Sequence, residues 1–233
     1  MRVLVIVPAY NEARNLPRVV ARLRETVPTA DVCVVDDGST DDTATVAVAL
    51  GVTVLQLPSN LGIGGAVQTG YLWAERQGYD VAIQIDGDGQ HDPSFIPAML
   101  VPLEAGRADM VVGSRFLGAN DGFQSTGLRR VGIRYLCWFL RLRCGVRVTD
   151  PTSGFRAAGK RAIALFARTY PADYPEPEAI ALIKRSGFSV EEMPVTMAVR
   201  EHGKSSINFG RTIYYLVKVS LALIFLPRRP RLD

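Results

Sequence analysis

Short apolar runs rich in β-branched residues recur along the first half of the chain, separated by segments long enough for a helix. The runs predict strands over residues 3–7, 32–35, 52–57, 81–85 and 110–112. The intervening segments predict helices over about 12–26, 41–50, 63–77 and 93–104. Strands that alternate with helices pair in parallel and carry helices on both faces. We therefore expect an α/β fold with a mostly parallel central sheet.

The regular alternation ends after Gly113. Helices are expected over about 128–142, 175–185 and 207–226, and a strand over 189–195. The strongly apolar segment 212–226 contains Lys218 and is shorter than the roughly 20 residues that span a bilayer. Because an arginine-rich tail follows it, we predict an interfacial helix at an anionic membrane surface. The alternative is a helix buried against the domain or against a small membrane partner protein.

Three polar clusters follow predicted strands, at residues 8–12, 36–40 and 86–93. In open α/β sheets, ligands bind beyond the carboxyl ends of the strands. Because the carboxyl ends of parallel strands meet at one edge of the sheet, we expect these clusters to lie together. Their shared position predicts a ligand site.

The third cluster opens with Asp86-Gly87-Asp88. In an extended segment, residues two apart point to one side, so both carboxylates can converge on one cation, and Gly87 leaves room for a ligand. A hard divalent ion held by few carboxylates, with water and phosphate oxygens as its other ligands, is typical of Mg²⁺ at phosphate groups. The triplet therefore predicts a metal-diphosphate site. Alone, the triplet would fit a strand-end turn with solvated aspartates better, and it is the other polar clusters that favour the metal site.

The second cluster begins with the adjacent pair Asp36 and Asp37. Neighbouring side chains of a strand alternate in direction, so we expect one carboxylate to bind a ligand and the other to support the turn. We assign the turn to Asp36, and to Asp37 a hydrogen bond from a nucleobase N–H. From the first cluster, Tyr10 is expected to stack on or border the base, and Glu12 to meet donors of the ribose or base.

A glycine-rich run at residues 60–66 invites comparison with the dinucleotide-binding pattern G-x-G-x-x-G. The comparison fails because the third glycine would fall on Val67 and the run follows the third predicted strand instead of the first. Hydride transfer is therefore not favoured. We expect these glycines to form a tight turn beside the nucleotide.

Composition limits the classes of protein that remain. With 233 residues, of which 48% are hydrophobic, the chain can bury one good core. Three cysteines without a Cys-x-x-Cys pair fit neither a disulfide framework nor a zinc site. The first residues lead directly into a strand-like run without the pattern of a signal peptide, so we expect a cytoplasmic protein.

Charge is divided along the chain: residues 1–118 carry a net charge of −6 and residues 119–233 one of +10. Six arginines and no acidic residue lie in segment 129–147. Because Tyr135, Trp138, Phe139 and other apolar residues interleave with them, we expect an anionic membrane surface as partner instead of nucleic acid. A solvated helix face is the alternative.

Six motifs together resemble a known family. They are Val-Pro-Ala-Tyr-Asn-Glu at 7–12, Val-Asp-Asp-Gly-Ser-Thr-Asp at 35–41, Asn-Leu-Gly at 60–62, Asp-Gly-Asp-Gly-Gln-His at 86–91, Gly-Ser-Arg at 113–115 and Asp-Pro-Thr-Ser-Gly-Phe-Arg at 150–156. In this order they resemble glycosyltransferase family 2, and more closely its dolichol- or polyprenol-phosphate sugar synthase branch, over residues 3–207. The resemblance implies a GT-A fold, a nucleotide-sugar donor, Mg²⁺ or Mn²⁺, and transfer with inversion.

The resemblance also assigns residues and domains. It implies that the nucleoside is held by Pro8, Tyr10, Glu12, Val35 and Asp37. The diphosphate would be lined by Asp86, Gly87 and Asp88, and the metal bound by Asp86, Asp88 and Gln90. Phosphates of the donor or acceptor would be contacted by Arg115, Arg130, Arg200 and Lys204. A solvated loop is an equal interpretation of Lys204. We expect residues 1–206 to form the GT-A domain, with a nucleotide-binding part at 1–118 and an acceptor-binding part at 119–206. Residues 207–233 form the apolar helix with its basic tail.

The nature of the acceptor remains open at this point. A phosphate acceptor is already ionised at neutral pH and needs no base, whereas a sugar hydroxyl needs a general base. Glu176 and Glu178 are the candidates for that base, with Asp150 behind them. We favour transfer of a hexose to polyprenyl phosphate by a protein peripherally bound to the inner face of the plasma membrane. The alternatives are transfer to a hydroxyl of a lipid-linked or surface glycan, and a non-catalytic nucleotide-sugar-binding subunit of a membrane complex.

Overall fold

A computed structural model of the protein describes residues 1–118, 127–197 and 209–226, with side chains described for 1–118, 130–197 and 214–226. Seven strands form one sheet in the order β3-β2-β1-β4-β6-β5-β7. The strands are Val3–Ala9 (β1), Asp31–Asp36 (β2), Thr53–Gln56 (β3), Val81–Gln84 (β4), Met110–Ser114 (β5), Arg156–Gly159 (β6) and Val190–Pro194 (β7). Only β6 runs antiparallel to its neighbours, so the prediction of a mostly parallel sheet is confirmed.

In the described ranges, eight α-helices cover the sheet. They are Leu16–Thr26 (α1), Thr43–Ala49 (α2), Gly62–Arg76 (α3), Ile96–Glu104 (α4), Gly127–Cys144 (α5), Lys160–Arg168 (α6), Pro175–Arg185 (α7) and Phe209–Phe225 (α8). Buried residues of α1, α2 and α4 form the core on one face of the sheet, and those of α3 and α5 to α8 form the core on the other. The first core includes Leu23 and Met99, and the second includes Tyr71 and Phe166. Both faces are therefore covered, as the alternating pattern predicts.

The element pair β6 and α6 is absent from the sequence prediction. Strand β6 has only four residues, Arg-Ala-Ala-Gly, which lack the β-branched signature of the other strands. It forms because it is inserted between β4 and β5, where Gln84 and Val112 both pair with Arg156. Its antiparallel direction places the start of β6 at the same edge of the sheet as the ends of β4 and β5. The loop before β6 therefore reaches the predicted ligand site.

The first helix begins four residues later than predicted. Asn11 has a left-handed backbone, with φ of 57°, and the carbonyl of Glu12 accepts hydrogen bonds from the amides of Asn15 and Leu16. The Asn11 side chain accepts hydrogen bonds from the amides of Thr40 (2.8 Å) and Asp41 (3.3 Å). Residues 10–15 are therefore a loop that ties the end of β1 to the end of β2.

Candidate active site

A cleft of about 300 Å³ lies at the carboxyl edge of β1, β2 and β4. Its lining residues are Pro8, Ala9, Tyr10, Glu12, Asp37, Asn60, Gly62, Ile63, Ala66, Asp86, Gly87 and Asp88. The structure thus brings together all three polar clusters and the glycine-rich run. Seven of the residues assigned to the nucleoside, the diphosphate or the metal line this single cleft. Val35 does not, because its side chain is buried in the core beneath it.

The two adjacent aspartates take the separate positions that strand alternation predicts. Asp36 supports the turn, since its Oδ1 accepts a hydrogen bond from the Ser39 amide at 3.2 Å. Asp37 is buried at the cleft wall, where its Oδ1 accepts a hydrogen bond from the Leu61 amide at 2.7 Å. Burial raises the pKa of Asp37, and the amides of Leu61 and Gly62 oppose that effect. Asp37 therefore joins the end of β2 to the start of α3 and leaves a carboxylate facing the cleft.

Backbone contact between these two loops requires a glycine at position 38. Gly38 has a φ of +68°, and a Cβ there would lie 2.8 Å from the backbone of Ser59 and Asn60. Any side chain would push the two loops apart. The close packing of these two loops beside Asp37 therefore depends on Gly38.

Asp86 and Asp88 stand together at the opposite wall. The Asp86 amide donates a hydrogen bond to His91 Nδ1 at 3.1 Å, which leaves the proton of a neutral His91 on Nε2, 3.8 Å from Asp86 Oδ2. Asp88 Oδ1 accepts a hydrogen bond from the Gln90 amide at 3.0 Å. His91 is buried and stacks on Phe155. These hydrogen bonds and the stacking of His91 on Phe155 hold the turn that carries both carboxylates in place.

The donor set fits a hard divalent cation. In the described part of the chain no group of three or more His, Cys, Asp or Glu side chains is arranged to hold a metal. The protein therefore offers the two carboxylates of Asp86 and Asp88, and Asp86 is 38% exposed toward the cleft. Mg²⁺ and Mn²⁺ sites at phosphates need few protein ligands, because phosphate and water oxygens complete the coordination. The predicted third ligand, Gln90, follows in the same turn.

Gly154 brings the loop before β6 against Asp86. A Cβ on Gly154 would lie 3.1 Å from both carboxylate oxygens of Asp86. A side chain at this position would crowd the carboxylate and any cation bound to it. The loop at residues 150–154 is thus part of the site although it lies more than sixty residues further along the chain.

Arg115 is engaged in a buried ion pair that the sequence did not reveal. Its Nε and Nη2 donate to the two oxygens of Asp150 at 2.6 and 2.7 Å, and Nη2 also donates to Thr152 Oγ1 at 2.8 Å. Although burial acts to raise the pKa of Asp150, the Arg115 guanidinium holds it below the usual value. Arg115 thereby anchors the loop that covers Asp86. Its contact with a phosphate stays a prediction.

The two candidate bases lie at the start of α7 but experience different charges. Burial raises the pKa of Glu176, and the charges that act on it are those of Arg156, Asp86 and Arg115. Burial also raises the pKa of Glu178, to about 7, but here the neighbouring charges are Lys218, Asp173 and Glu176. Residues two apart on a helix point in nearly opposite directions. Glu176 therefore belongs to the side of the cleft, and Glu178 to the side of α8.

Sequence reasoning missed a buried polar cluster beneath the cleft. Arg156 is 1% exposed, and its Nε donates to the Ser153 carbonyl at 2.7 Å. Among the described residues, neither Arg156 Nη1 nor the buried Tyr71 hydroxyl has a hydrogen-bond partner. The charge of Arg156 acts on Glu176 and on Tyr170. The motif at 150–156 ends in Arg156, but the sequence assigned that arginine no role.

A second cavity, of about 420 Å³, lies between α5 and the loop before Asp150. It is lined by Phe116, Arg130, Ile133, Arg134, Cys137, Val148 and Thr149. Arg130, assigned to a phosphate by the resemblance, therefore lies in an apolar groove beside a second arginine. Phe116 and Thr149, which line the groove, are the chain neighbours of Arg115 and Asp150 in the buried ion pair. The assigned residues Arg200 and Lys204 lie outside the described residues.

The chain is similar in sequence to a known family of proteins. The model of the family described as Glycosyl transferase family 2 matches residues 4–165. The undecaprenyl-phosphate mannosyltransferase of Micrococcus luteus is 35% identical over 222 residues, which cover 90% of this chain and 89% of that protein. The polyprenol monophosphomannose synthase of Mycolicibacterium smegmatis is 34% identical over 228 residues, covering 94% and 86%.

Solved structures show the same fold. The glucosyl-3-phosphoglycerate synthase of Mycobacterium tuberculosis, solved with Mn²⁺, uridine diphosphate and phosphoglyceric acid, superposes with a TM-score of 0.74 over 97% of this chain and 79% of that one, at 23% identity. Fold and site together define a glycosyltransferase of the GT-A type. The chain belongs to glycosyl transferase family 2, which confirms the family resemblance of the six motifs.

Proposed function

We propose that this glycosyltransferase transfers a hexose, with inversion, from a nucleotide diphosphate sugar to polyprenyl phosphate at the cytoplasmic face of the membrane, as a peripheral membrane protein. The observation that carries the proposal is the pairing of two cavities. A polar cleft with two carboxylates suits the donor, and an apolar groove with two arginines suits a lipid phosphate. The names of the relatives from Micrococcus luteus and Mycolicibacterium smegmatis support this choice of acceptor.

The donor cleft accounts for binding of the nucleotide. In the proposal Asp37 accepts a hydrogen bond from the base, while Tyr10, which is 47% exposed at the rim, covers it. The diphosphate lies along Asp86-Gly87-Asp88. A Mg²⁺ or Mn²⁺ ion held by Asp86 and Asp88, with Gln90 as the predicted third ligand, would neutralise the charge that develops on the departing nucleoside diphosphate.

The groove accounts for binding of the acceptor. Arg130 and Arg134 would hold the phosphate, while Phe116, Ile133 and Val148 would contact the first isoprene units. The phosphate is ionised at neutral pH, because its second pKa is roughly 6, so it attacks the anomeric carbon without a protein base. The predicted contacts of Arg200 and Lys204 with the donor diphosphate belong to the same proposal.

A second acceptor is favoured by one observation. Glu176 is a carboxylate whose pKa is raised by burial and whose charge interacts with that of Asp86. A carboxylate with a raised pKa beside a cleft suits a general base, which a hydroxyl acceptor requires. Transfer to a hydroxyl of a lipid-linked glycan is therefore the second candidate function.

The decisive experiment combines a donor panel with two acceptor conditions. The protein is incubated with Mn²⁺ and a series of nucleotide sugars, with and without polyprenyl phosphate, and the released nucleoside diphosphate is measured. We expect one donor to be consumed only when polyprenyl phosphate is present. Donor consumption that requires a glycan hydroxyl, and is indifferent to polyprenyl phosphate, would select the second candidate.

The metal assignment is tested by Asp88→Asn. We expect turnover to fall by about 100-fold or more, because the amide neither carries the charge nor binds the cation as well. The exposed Asp42, at the start of α2, supplies the matched control Asp42→Asn, which should leave turnover unchanged. If Asp88→Asn turned over like the control, Asp88 would not be a metal ligand.

A further inference from the structure

We propose that α5 and α8 together form a single docking face that lies on an anionic lipid bilayer. This inference rests on the proposed function for the nature of the partner, since a polyprenyl phosphate acceptor resides in a membrane. The face itself follows from which side chains of the two helices are exposed and how the helices pack.

The exposed side of α5 is an apolar stripe. Its members recur at intervals of four, three and four residues, which places them within one narrow sector of the helix. They are Val131, Tyr135, Trp138 and Leu142, with exposures from 36% to 63%. The opposite side of the same helix is buried in the core through Leu136 and Leu140. Helix α5 therefore carries apolar residues on both sides, and the described part of the chain covers only one of them.

Helix α8 repeats this arrangement. Val219 and Leu223 are fully buried against the domain. The outer side carries a second stripe, consisting of Tyr214, Val217, Leu221, Ile224 and Phe225, with exposures from 44% to 78%. More than half of the exposed large hydrophobic side chains in the described part of the chain lie on these two helices. Monomeric proteins rarely expose a contiguous apolar patch without a binding role.

Direct contacts join the two stripes into one surface. The Tyr135 hydroxyl lies 2.8 Å from Ser220 Oγ, and Arg143 Nη2 donates to the carbonyl of Ile224 at 3.0 Å. Between the helices lies an apolar hollow of about 400 Å³, lined by Tyr135, Leu216, Val217, Ser220 and Leu221. The sequence alone offered the arginine-rich helix and the terminal helix as separate membrane contacts. The structure makes them a single face.

Charge complementarity selects an anionic bilayer as the occupant. Helices α5 and α8 contain no acidic residue, and Arg134 and Arg141 are exposed beside the α5 stripe. A second copy of this face would bring arginines against arginines, whereas anionic headgroups neutralise them. Tyr135, Trp138 and Tyr214 are residue types enriched where protein meets the membrane interface. No helix in the described ranges is both long and apolar enough to cross a bilayer.

The docking face is connected to the active site at two points. Arg130 and Arg134 of α5 line the proposed acceptor groove, so docking of α5 brings that groove to the depth of the lipid headgroups. Lys218 of α8 pairs with Asp173, directly before α7. Glu176 and Glu178 of α7 therefore lie close behind the docking face.

Vesicle binding without substrates tests the docking face. Sedimentation is measured with vesicles of equal parts phosphatidylglycerol and phosphatidylcholine, and with phosphatidylcholine alone. The test variant combines Trp138→Ser and Leu221→Ser, and its matched control combines Val48→Ser and Val101→Ser, two equally exposed apolar residues on α2 and α4. We expect the wild type and the control to bind the anionic vesicles, and the test variant to bind about tenfold or more weakly. Thermal unfolding checks that both variants fold.

Three outcomes would overturn the inference. The first is equal vesicle binding by a folded test variant and the wild type, and the second is a failure of the wild type to bind anionic vesicles. The third is a wild type that dimerises in solution through Trp138 and Leu221, because the face would then be an interface between copies.

Transfer to a water-soluble short-chain polyprenyl phosphate separates this inference from the proposed function. If the test variant retains that transfer while the wild type fails to bind vesicles, the docking face is wrong and the function stands. If vesicles bind but no transfer occurs to either acceptor form, the function is wrong and the docking face stands.

Discussion

Arg115 and Asp150 show how much of the site depends on one buried pair. The side chain of Asp150 is fully buried, and the Arg115 guanidinium, which donates two hydrogen bonds to it, neutralises its charge. Arg115→Met would leave the Asp150 carboxylate without a counter-charge next to Glu192, whose carboxylate already accepts the amides of Thr149 and Asp150. We expect the free energy of unfolding to fall by about 3–5 kcal/mol, measured by urea denaturation.

Arg107→Met is the matched control for this prediction. Arg107 Nε lies 3.6 Å from Glu191 Oε1, and the two side chains are 53% and 38% exposed to solvent. A surface pair of this kind contributes less than about 1 kcal/mol. Equal stability of the two variants would mean that Arg115 does not anchor the loop at residues 150–154. Asp150→Asn combined with Arg115→Met should recover part of the loss, because the unpaired charge is removed.

At the scale of elements, the contact between α3 and the segment before α7 links the two sides of the cleft. A Cβ on Gly64 would lie 2.1 Å and 2.2 Å from the carbonyl oxygens of Ala172 and Pro171. Gly64→Ala must therefore push α3 away from the segment that leads to Glu176. We expect a loss of about 1–3 kcal/mol in the free energy of unfolding. Because Gly62, Ile63 and Ala66 of α3 line the cleft, nucleoside diphosphate binding, measured by calorimetry, should weaken as well.

Gly132→Ala, in the middle of α5, is the control for this effect. Its Cβ would meet only Leu216 side-chain atoms at 3.7 Å, an ordinary contact. Replacing glycine by alanine inside a helix stabilises it by up to about 1 kcal/mol. Gains of similar size at both positions would show that α3 and residues 171–172 do not meet as closely as the structure places them.

The elements also show which parts of the fold a sequence can predict. Strands β1, β2 and β4 are buried on both faces, so their sequences are continuous apolar runs that are easily recognised. Strand β6 depends on pairing with two distant neighbours, and no local pattern marks it. Helix α6 did leave a signal: Ala162, Ile163, Phe166 and Ala167 are buried at helical spacing. This helix was missed because we expected the regular alternation of strands and helices to end after Gly113.

The active-site residues also divide into those that the sequence predicts and those that it does not. The polar clusters at the ends of β1, β2 and β4 were predictable, because parallel topology alone gathers them at one edge. The Arg115–Asp150 pair was not, since neither residue carries information about a partner 35 positions away. Arg156 was missed for a related reason: a buried arginine is recognised by its surroundings, and those come from β4, α3 and α7.

At the scale of the whole molecule, the donor cleft and the proposed acceptor groove draw mainly on different parts of the chain. All residues that line the cleft lie between Pro8 and Asp88. Six of the seven residues that line the groove follow residue 118, and the seventh is Phe116. The donor half is net acidic and the later half net basic. A divalent cation is therefore expected on the acidic side, and an anionic acceptor and membrane on the basic side.

The nature of the acceptor can be read from the pH dependence of Glu176→Gln. Burial raises the pKa of Glu176, so the side chain takes up a proton as the pH falls, and it does so at a higher pH than an exposed glutamate. A reaction that uses Glu176 as its base would slow on the acid side for that reason, and Glu176→Gln would reduce turnover by about 100-fold or more. With polyprenyl phosphate as acceptor, the rate would instead fall at low pH because the acceptor phosphate is protonated, since its second pKa is roughly 6.

Under the proposed function we therefore expect Glu176→Gln to retain turnover within about tenfold of the wild type. We also expect its rate to fall at low pH over the same range as that of the wild type. Both are measured as rate–pH profiles at saturating donor. Glu178→Gln, an equally conservative change on the side of α8, is the matched control. Because the charge of Glu176 also acts on Asp86, binding of nucleoside diphosphate with Mn²⁺ is measured for both variants to exclude a change in the donor site. If Glu176→Gln removed turnover while leaving donor binding and the Glu178→Gln activity intact, Glu176 would be a general base and the acceptor a hydroxyl.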